Sequence, residues 1–248
     1  MGENRAKRKL RNGELVTVIA GFNTPDVIDF LGPLGFDAAW LEGEHGPVTW
    51  DDVGNLSRAC DLWGMSSIVR IHSKEPGLFT RYLDQGVNGI VVPHVNTREE
   101  ALRVVQSAKF APLGNRGIYG GRQAYGRSDF FQKANDETIV VVMIEEMRGI
   151  KALDEILTVD NVDVFLVAPG DLAQSMGYLG QPDHPEVRRV LDDAISRIAR
   201  AGKAPGATVN EANVQHYIEL GARFIHTNWP SWVNSGAKRF LELTRKKP

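Results

Sequence analysis

The chain has 248 residues, 42% of them hydrophobic and 24% charged, with a formal net charge of -2. That length can bury one sizeable core, and the near-neutral balance argues against nucleic acid or an acidic membrane surface as a partner. The single cysteine, Cys60, excludes an internal disulfide framework and a thiolate metal cluster.

Taken in order, the N-terminal stretch MGENRAKRKLRNGE is charged and has no apolar signal-peptide core. Glu3 to Leu10 reads as a short basic helix ended by Asn12-Gly13. Leu15 to Ala20 is the first strand. Asn23-Thr24-Pro25-Asp26 opens a helix, with Thr24 as N-cap and Pro25 at the first helical position. Phe36 to Leu41 is the second strand, and Glu42-Gly43-Glu44-His45-Gly46-Pro47 follows it. A helix opens at Thr49 or Asp51 and runs to about Trp63; Cys60 lies on it among Leu56, Ala59 and Leu62 and reads as a small buried apolar residue. Ser67 to Ile71 is the third strand and carries Arg70 near its end. Pro76 to Gln85 is helical. Gly89 to Val92 is the fourth strand, with Pro93-His94 after it. Thr97-Arg98-Glu99-Glu100 is a capping box for a helix reaching Lys109.

From Pro112 to about Asp129 the pattern breaks, with five glycines, three arginines and two tyrosines. Irregular segments of that length are usually functional or mobile, and the expectation is a role at the active site or in a subunit contact. Ile139 to Ile144 is then a continuous apolar, β-branched run, which reads as a strand buried on both faces. It stops at Glu145 and Glu146. A helical pattern follows through Ile150, Leu153, Ile156 and Leu157, and Val164 to Val167 is the next strand, ended by Ala168-Pro169-Gly170-Asp171. Pro185 to Ala201 is a long amphipathic helix, Lys203 to Thr208 a weak strand, Asn210 to Leu220 a helix, Arg223 to His226 the eighth strand and Val233 to Lys246 the closing helix. No linker or repeat interrupts the chain, so residues 1–248 read as one domain. Eight strands, each followed by a helix, point to an α/β TIM (β/α)8 barrel. A doubly wound open sheet fits less well, because no Gly-rich phosphate loop follows the first strand.

Barrel active sites lie at the C-terminal strand ends. Those ends collect Glu42, Glu44 and His45, then Arg70, Glu145 and Asp171. Glu145 and Asp171 follow neighbouring parallel strands, so they converge. Such a pair either holds a hard divalent cation or simply caps the helices that follow. Two carboxylates leave a cation several open positions, which a chelating 2-oxo acid can fill. Arg70 would then meet the developing oxyanion, a device for making an enolate. No lysine ends a strand; Lys203 lies at the start of the seventh, on the opposite face, which argues against Schiff-base chemistry.

The segments FDAAWLEGEHGP, IVRI, GVNGIVVPHVNTREEA, GNRG, FFQKAND, MIEE, VAPGDLAQSMGYLGQPDHPEV and GKAPG together resemble the HpcH/HpaI aldolase/citrate lyase family, the class II, metal-dependent pyruvate aldolases. The resemblance covers nearly the whole chain. It implies reversible aldol cleavage of a 4-hydroxy-2-oxo acid to pyruvate and an aldehyde, with Mg²⁺, Mn²⁺ or Co²⁺ as cofactor. It also implies a barrel whose last helix swaps between subunits, building a homo-hexamer as a trimer of dimers. Carried over residue by residue, Glu145 and Asp171 correspond to the metal carboxylates and Arg70 to the pyruvate-binding arginine. His45 corresponds to the histidine of the acid/base dyad. The amides of Gly170 and Asp171 correspond to those that meet the substrate carboxylate. Glu42 stands where the dyad usually has Asp, Met143 where some members have Gln, and His94 where an apolar residue is common. The strand-eight tail His226-Thr227-Asn228-Trp229 is unusually polar and aromatic. Two other readings remain open: a metal and oxo-acid binding homologue without turnover, and a carbon–carbon lyase acting on a CoA thioester. The expectation for location is the cytoplasm.

Overall fold

The computed structural model describes residues 3–22 and 24–245. Asn23 and the expected end of the closing helix at Lys246 lie outside them. Eight parallel strands close in sequence order into a barrel. They are β1 (Val16–Phe22), β2 (Ala38–Glu42), β3 (Ser66–Arg70), β4 (Gly89–Val92), β5 (Ile139–Ile144), β6 (Val164–Val167), β7 (Pro205–Thr208) and β8 (Phe224–Asn228). The helices before the fifth strand are α1 (Arg5–Arg11), α2 (Pro25–Leu31), α3 (Trp50–Leu62), α4 (Pro76–Asp84), α5 (Arg98–Ala108) and α6 (Phe130–Glu137). After it come α7 (Met147–Lys151), α8 (Leu153–Ile156), α9 (Pro169–Ser175), α10 (Pro185–Arg200), α11 (Val214–Glu219) and α12 (Pro230–Arg245). The one helix expected after β5 is thus two short ones, broken at Ala152, and α6 and α9 are additions to the sequence reading.

Strand side chains alternate between two cores. Val16, Val18, Trp40, Ile68, Val91, Val141, Met143, Leu166 and Phe224 fill the inside of the barrel. Ile19, Leu41, Val69, Val92, Val142, Phe165 and Ile225 face the helices. Gly206 contributes nothing inward because a Cβ there would sit 2.8 Å from Leu166; that missing side chain is why β7 looks weak in sequence.

The bottom of the barrel is plugged by α1, whose Ala6 packs into the inner core. Lys7 and Lys109, both buried, donate to the carbonyl of Thr138, and Lys7 also pairs with Asp163 at 3.1 Å. Burial, aided by the charge of Lys7, pushes the Lys109 ammonium down to about 7. The inside of the barrel is thus capped by α1 at this end.

The irregular segment 112–129 joins a helix to the next helix–strand pair, which places it at the bottom as well. Arg116 reaches Asp84 at 2.6 Å, Arg122 reaches Asp61 at 2.6 Å, and Gln123 donates to the Gly86 carbonyl at 2.7 Å. All three acceptors lie in or just after α3 and α4. Within one chain the segment is therefore remote from the strand C-termini, where the active-site half of the expectation would put it. Exposed Ile118, Tyr119 and Tyr125 leave the subunit-contact half standing.

No helix among the described residues is long and apolar enough to cross a membrane. The last helix, α12, buries none of its residues. Its start packs against the barrel: Trp232 stacks on Phe36 at 6.0 Å, and the preceding Trp229 indole donates to the Gly21 carbonyl at 2.9 Å.

Candidate active site

Glu42 and Arg70 are direct register partners on β2 and β3, and both point inward at the top. Parallel pairing therefore sets an acid against a base. Arg70 Nε lies 3.0 and 2.8 Å from the two Glu42 oxygens, and Nη2 lies 2.7 Å from Oε2. Trp40, two residues earlier on the same face, donates its indole N–H to Glu42 Oε2 at 3.0 Å. Burial raises the Glu42 carboxyl, but Arg70, Trp40 and the His45 amide outweigh it and hold the pKa below the usual carboxylate value.

The turn after β2 folds back over this pair. Gly43 donates to the Arg70 carbonyl at 3.0 Å, and a Cβ there would lie 2.7 Å from that oxygen. Gly46 is equally constrained, because its Cβ would come within 2.7 Å of Glu42. Tight backbone approach thus requires both glycines. Glu44 is carried inward, with Oε2 3.1 Å from Arg70 Nη1. His45 is carried outward; its side chain is 66% exposed and its Nε2 lies 3.8 Å from Glu44 Oε2. The expected contact between Glu42 and the His45 ring is absent from this arrangement. Glu42 meets His45 through the backbone N–H, at 3.1 Å, because its carboxylate is already engaged by Arg70.

Across the mouth, Glu145 follows β5 and is buried. Its Oε1 accepts the His94 N–H at 2.8 Å, and its Oε2 is buried with no hydrogen-bond partner. Burial, joined by the Asp171 carboxylate, raises the Glu145 pKa against the opposing effect of the His94 amide. Asp171 lies in the first turn of α9. A buried acceptor without a donor, beside a second carboxylate, is an arrangement that a cation completes. Two carboxylates leave a cation held here several open positions. The space over Gly170 is also open: a Cβ built there meets nothing within 4 Å.

Three neighbours were not placed at the site by sequence reasoning. His94 sits at φ 54°, a left-handed conformation uncommon for a non-glycine residue. Its Nδ1 lies 2.9 Å from Glu146 and its Nε2 3.7 Å from Glu44. Trp40 supports Glu42 from below, and period-two counting back from Glu42 would have found it. His226 projects inward from β8, with its ring 4.3 Å from Trp40, its Nδ1 3.3 Å from the Thr208 hydroxyl and a buried, unpartnered Nε2. Burial, with a smaller push from Arg70, lowers its pKa to about 4, so it is neutral at pH 7.

The sequence model of the HpcH/HpaI aldolase/citrate lyase family matches residues 18–229. The chain belongs to that family. It is 34% identical over 229 residues to the 4-hydroxy-2-oxo-heptane-1,7-dioate aldolase of Shigella flexneri, covering 90% of this chain and 86% of that enzyme. The Escherichia coli enzyme of the same name is also 34% identical, with 90% and 87% covered. Among solved structures, a family protein from Burkholderia cenocepacia J2315 superposes with a TM-score of 0.92 at 29% identity, covering 98% of this chain and 100% of that one. The HpcH/HpaI aldolase from Desulfitobacterium hafniense DCB-2 gives 0.89 at 26% identity, with 98% and 97% covered. Macrophomate synthase, at 22% identity and a TM-score of 0.82 over 97% of this chain and 88% of that one, shares the fold.

Proposed function

We propose that the chain is a divalent-metal-dependent carbon–carbon lyase of the aldolase type. It cleaves a 4-hydroxy-2-oxo acid reversibly to pyruvate and an aldehyde through a pyruvate enolate. The observation that carries this reading is a buried, unpartnered Glu145 oxygen beside Asp171, across the mouth from a guanidinium fixed by Glu42.

Glu145 and Asp171 would hold the cation, and Mg²⁺, Mn²⁺ or Co²⁺ suits two carboxylates with open positions. When bound, it supplies Lewis acidity toward the 2-oxo group. The residues do the rest. Gly170 and Asp171 lie in the first turn of α9, where helix geometry leaves amides without an internal acceptor; they meet the substrate carboxylate. Arg70 directs an N–H at the 2-oxo oxygen. His45 takes the proton of the C4 hydroxyl, the C3–C4 bond breaks, and its electron pair passes into the enolate as the aldehyde leaves. Returning a proton to C3 gives pyruvate.

The quaternary reading is a homo-hexamer, a trimer of dimers with α12 exchanged between subunits. Its support is that α12 buries none of its residues, with Val233, Phe240, Leu241 and Leu243 exposed. Sedimentation velocity decides it, and a monomer at micromolar concentration contradicts it. A cytoplasmic location is part of the proposal, supported by a lone buried thiol.

The function is tested by pyruvate release from a panel of 4-hydroxy-2-oxo acids, coupled to lactate dehydrogenase. At least one member should be turned over. Tight cation binding with no release from any member would favour a binding protein instead.

A further inference from the structure

We propose that Glu42 is the positioning residue that mounts Arg70, backed by Trp40, and that it is not the carboxylate partner of the His45 imidazole. The inference deepens the enolate reading of Arg70 and rests on it.

A carboxylate offers about four lone-pair positions. On Glu42 they are taken. Oε1 accepts the amides of Glu44 at 2.9 Å and His45 at 3.1 Å and faces Arg70 Nε at 3.0 Å. Oε2 faces the Trp40 indole at 3.0 Å, Arg70 Nε at 2.8 Å and Nη2 at 2.7 Å. No capacity remains to orient an imidazole. The carboxylate beside the His45 ring is that of Glu44, at 3.8 Å.

The engagement of Arg70 is side-on, through Nε and Nη2. Such a fork fixes both the distance and the plane of the guanidinium. It leaves Nη1 directed across the barrel, 3.9 Å from Met143 Sδ and 3.1 Å from Glu44 Oε2. Arg70 therefore reaches the enolate position already oriented. The length of the side chain matters. Glu42 and Arg70 stand level in register, and the two methylenes of glutamate carry its carboxylate to the guanidinium. Aspartate is shorter by about 1.5 Å, one carbon–carbon bond. It cannot keep the fork, the indole and both turn amides together. Trp40 makes the mount rigid: it is 2% exposed, and the His226 ring lies against it.

A dyad partner and a mount have opposite signatures. Decarboxylation of oxaloacetate passes through the same enolate but needs no base at a hydroxyl. Loss of a dyad partner spares it; loss of the mount does not. The experiment measures kcat and KM for both reactions in Glu42→Asp, Glu42→Gln and Trp40→Phe, with Mn²⁺ affinity measured separately by calorimetry. Both Glu42 variants should lose cleavage and decarboxylation by the same factor, about 10–10²-fold in kcat, a fraction of what deleting an oxyanion donor costs. Their Mn²⁺ affinity should match the parent. Trp40→Phe, which removes only the N–H, should show a smaller but equally shared loss. Loss of cleavage alone in Glu42→Gln, or a Glu42→Asp variant as active as the parent, overturns the proposal. A parent with neither reaction overturns the enolate reading, and the mount with it.

Discussion

Replacing Arg70 by lysine is expected to lower kcat for both cleavage and oxaloacetate decarboxylation by about two orders of magnitude, the usual size for removing one oxyanion donor. The structure shows why charge alone cannot substitute. Arg70 divides its donors between Glu42, through Nε and Nη2, and the inside of the mouth, through Nη1, which lies 3.1 Å from Glu44 Oε2 and 3.9 Å from Met143 Sδ. A lysine ammonium is a single point that can satisfy the carboxylate or the enolate, but not both in fixed planes. The side chain is 13% exposed, so water cannot readily replace the lost donor. Cation affinity should be unchanged, because Arg70 is not among the carboxylates that would hold it. Turnover within a few-fold of the parent would make Arg70 structural and misplace the site.

His45→Ala is expected to separate the two reactions. Proton transfer by a positioned side chain typically contributes about 10²–10⁴-fold. Cleavage should fall by a factor in that range, and decarboxylation far less. The position of His45 makes the test clean. Its ring is largely exposed and lies 3.8 Å from the Glu44 carboxylate, so removing it leaves no cavity. The melting temperature should stay near the parent's, as for surface substitutions generally. Equal loss of both reactions would mean that His45 supports the cation site or the fold, and the proton shuttle would have to be sought elsewhere.

The barrel was legible because buried parallel strands write themselves as unbroken apolar runs, as in β5 and β6. The ends of those runs put Arg70, Glu145 and Asp171 at one end of the barrel. Other features had no sequence signal. The apolar period continues through Ile150, Leu153 and Ile156, so nothing marks the break between α7 and α8. Register is a tertiary property, so the level pairing of Glu42 with Arg70 could not be counted from spacing. The family resemblance paired Glu42 with His45, and the inward direction of β2 gave the carboxylate to Arg70 instead. The segment 112–129 was read from composition alone. Its position between α5 and β5 assigns it to the closed end, where Arg116 and Arg122 fasten it to Asp84 and Asp61.

The central claim is that Glu145 and Asp171 hold a cation that makes the enolate, with no covalent adduct to the protein. It is tested by pyruvate release from the best panel substrate after exhaustive chelation, after add-back of Mg²⁺, Mn²⁺ or Co²⁺, and after borohydride in the presence of pyruvate. Release should vanish with the chelator, return with the added ion and survive borohydride. Release that persists through chelation, with pyruvate trapped on a lysine by borohydride, would contradict the account.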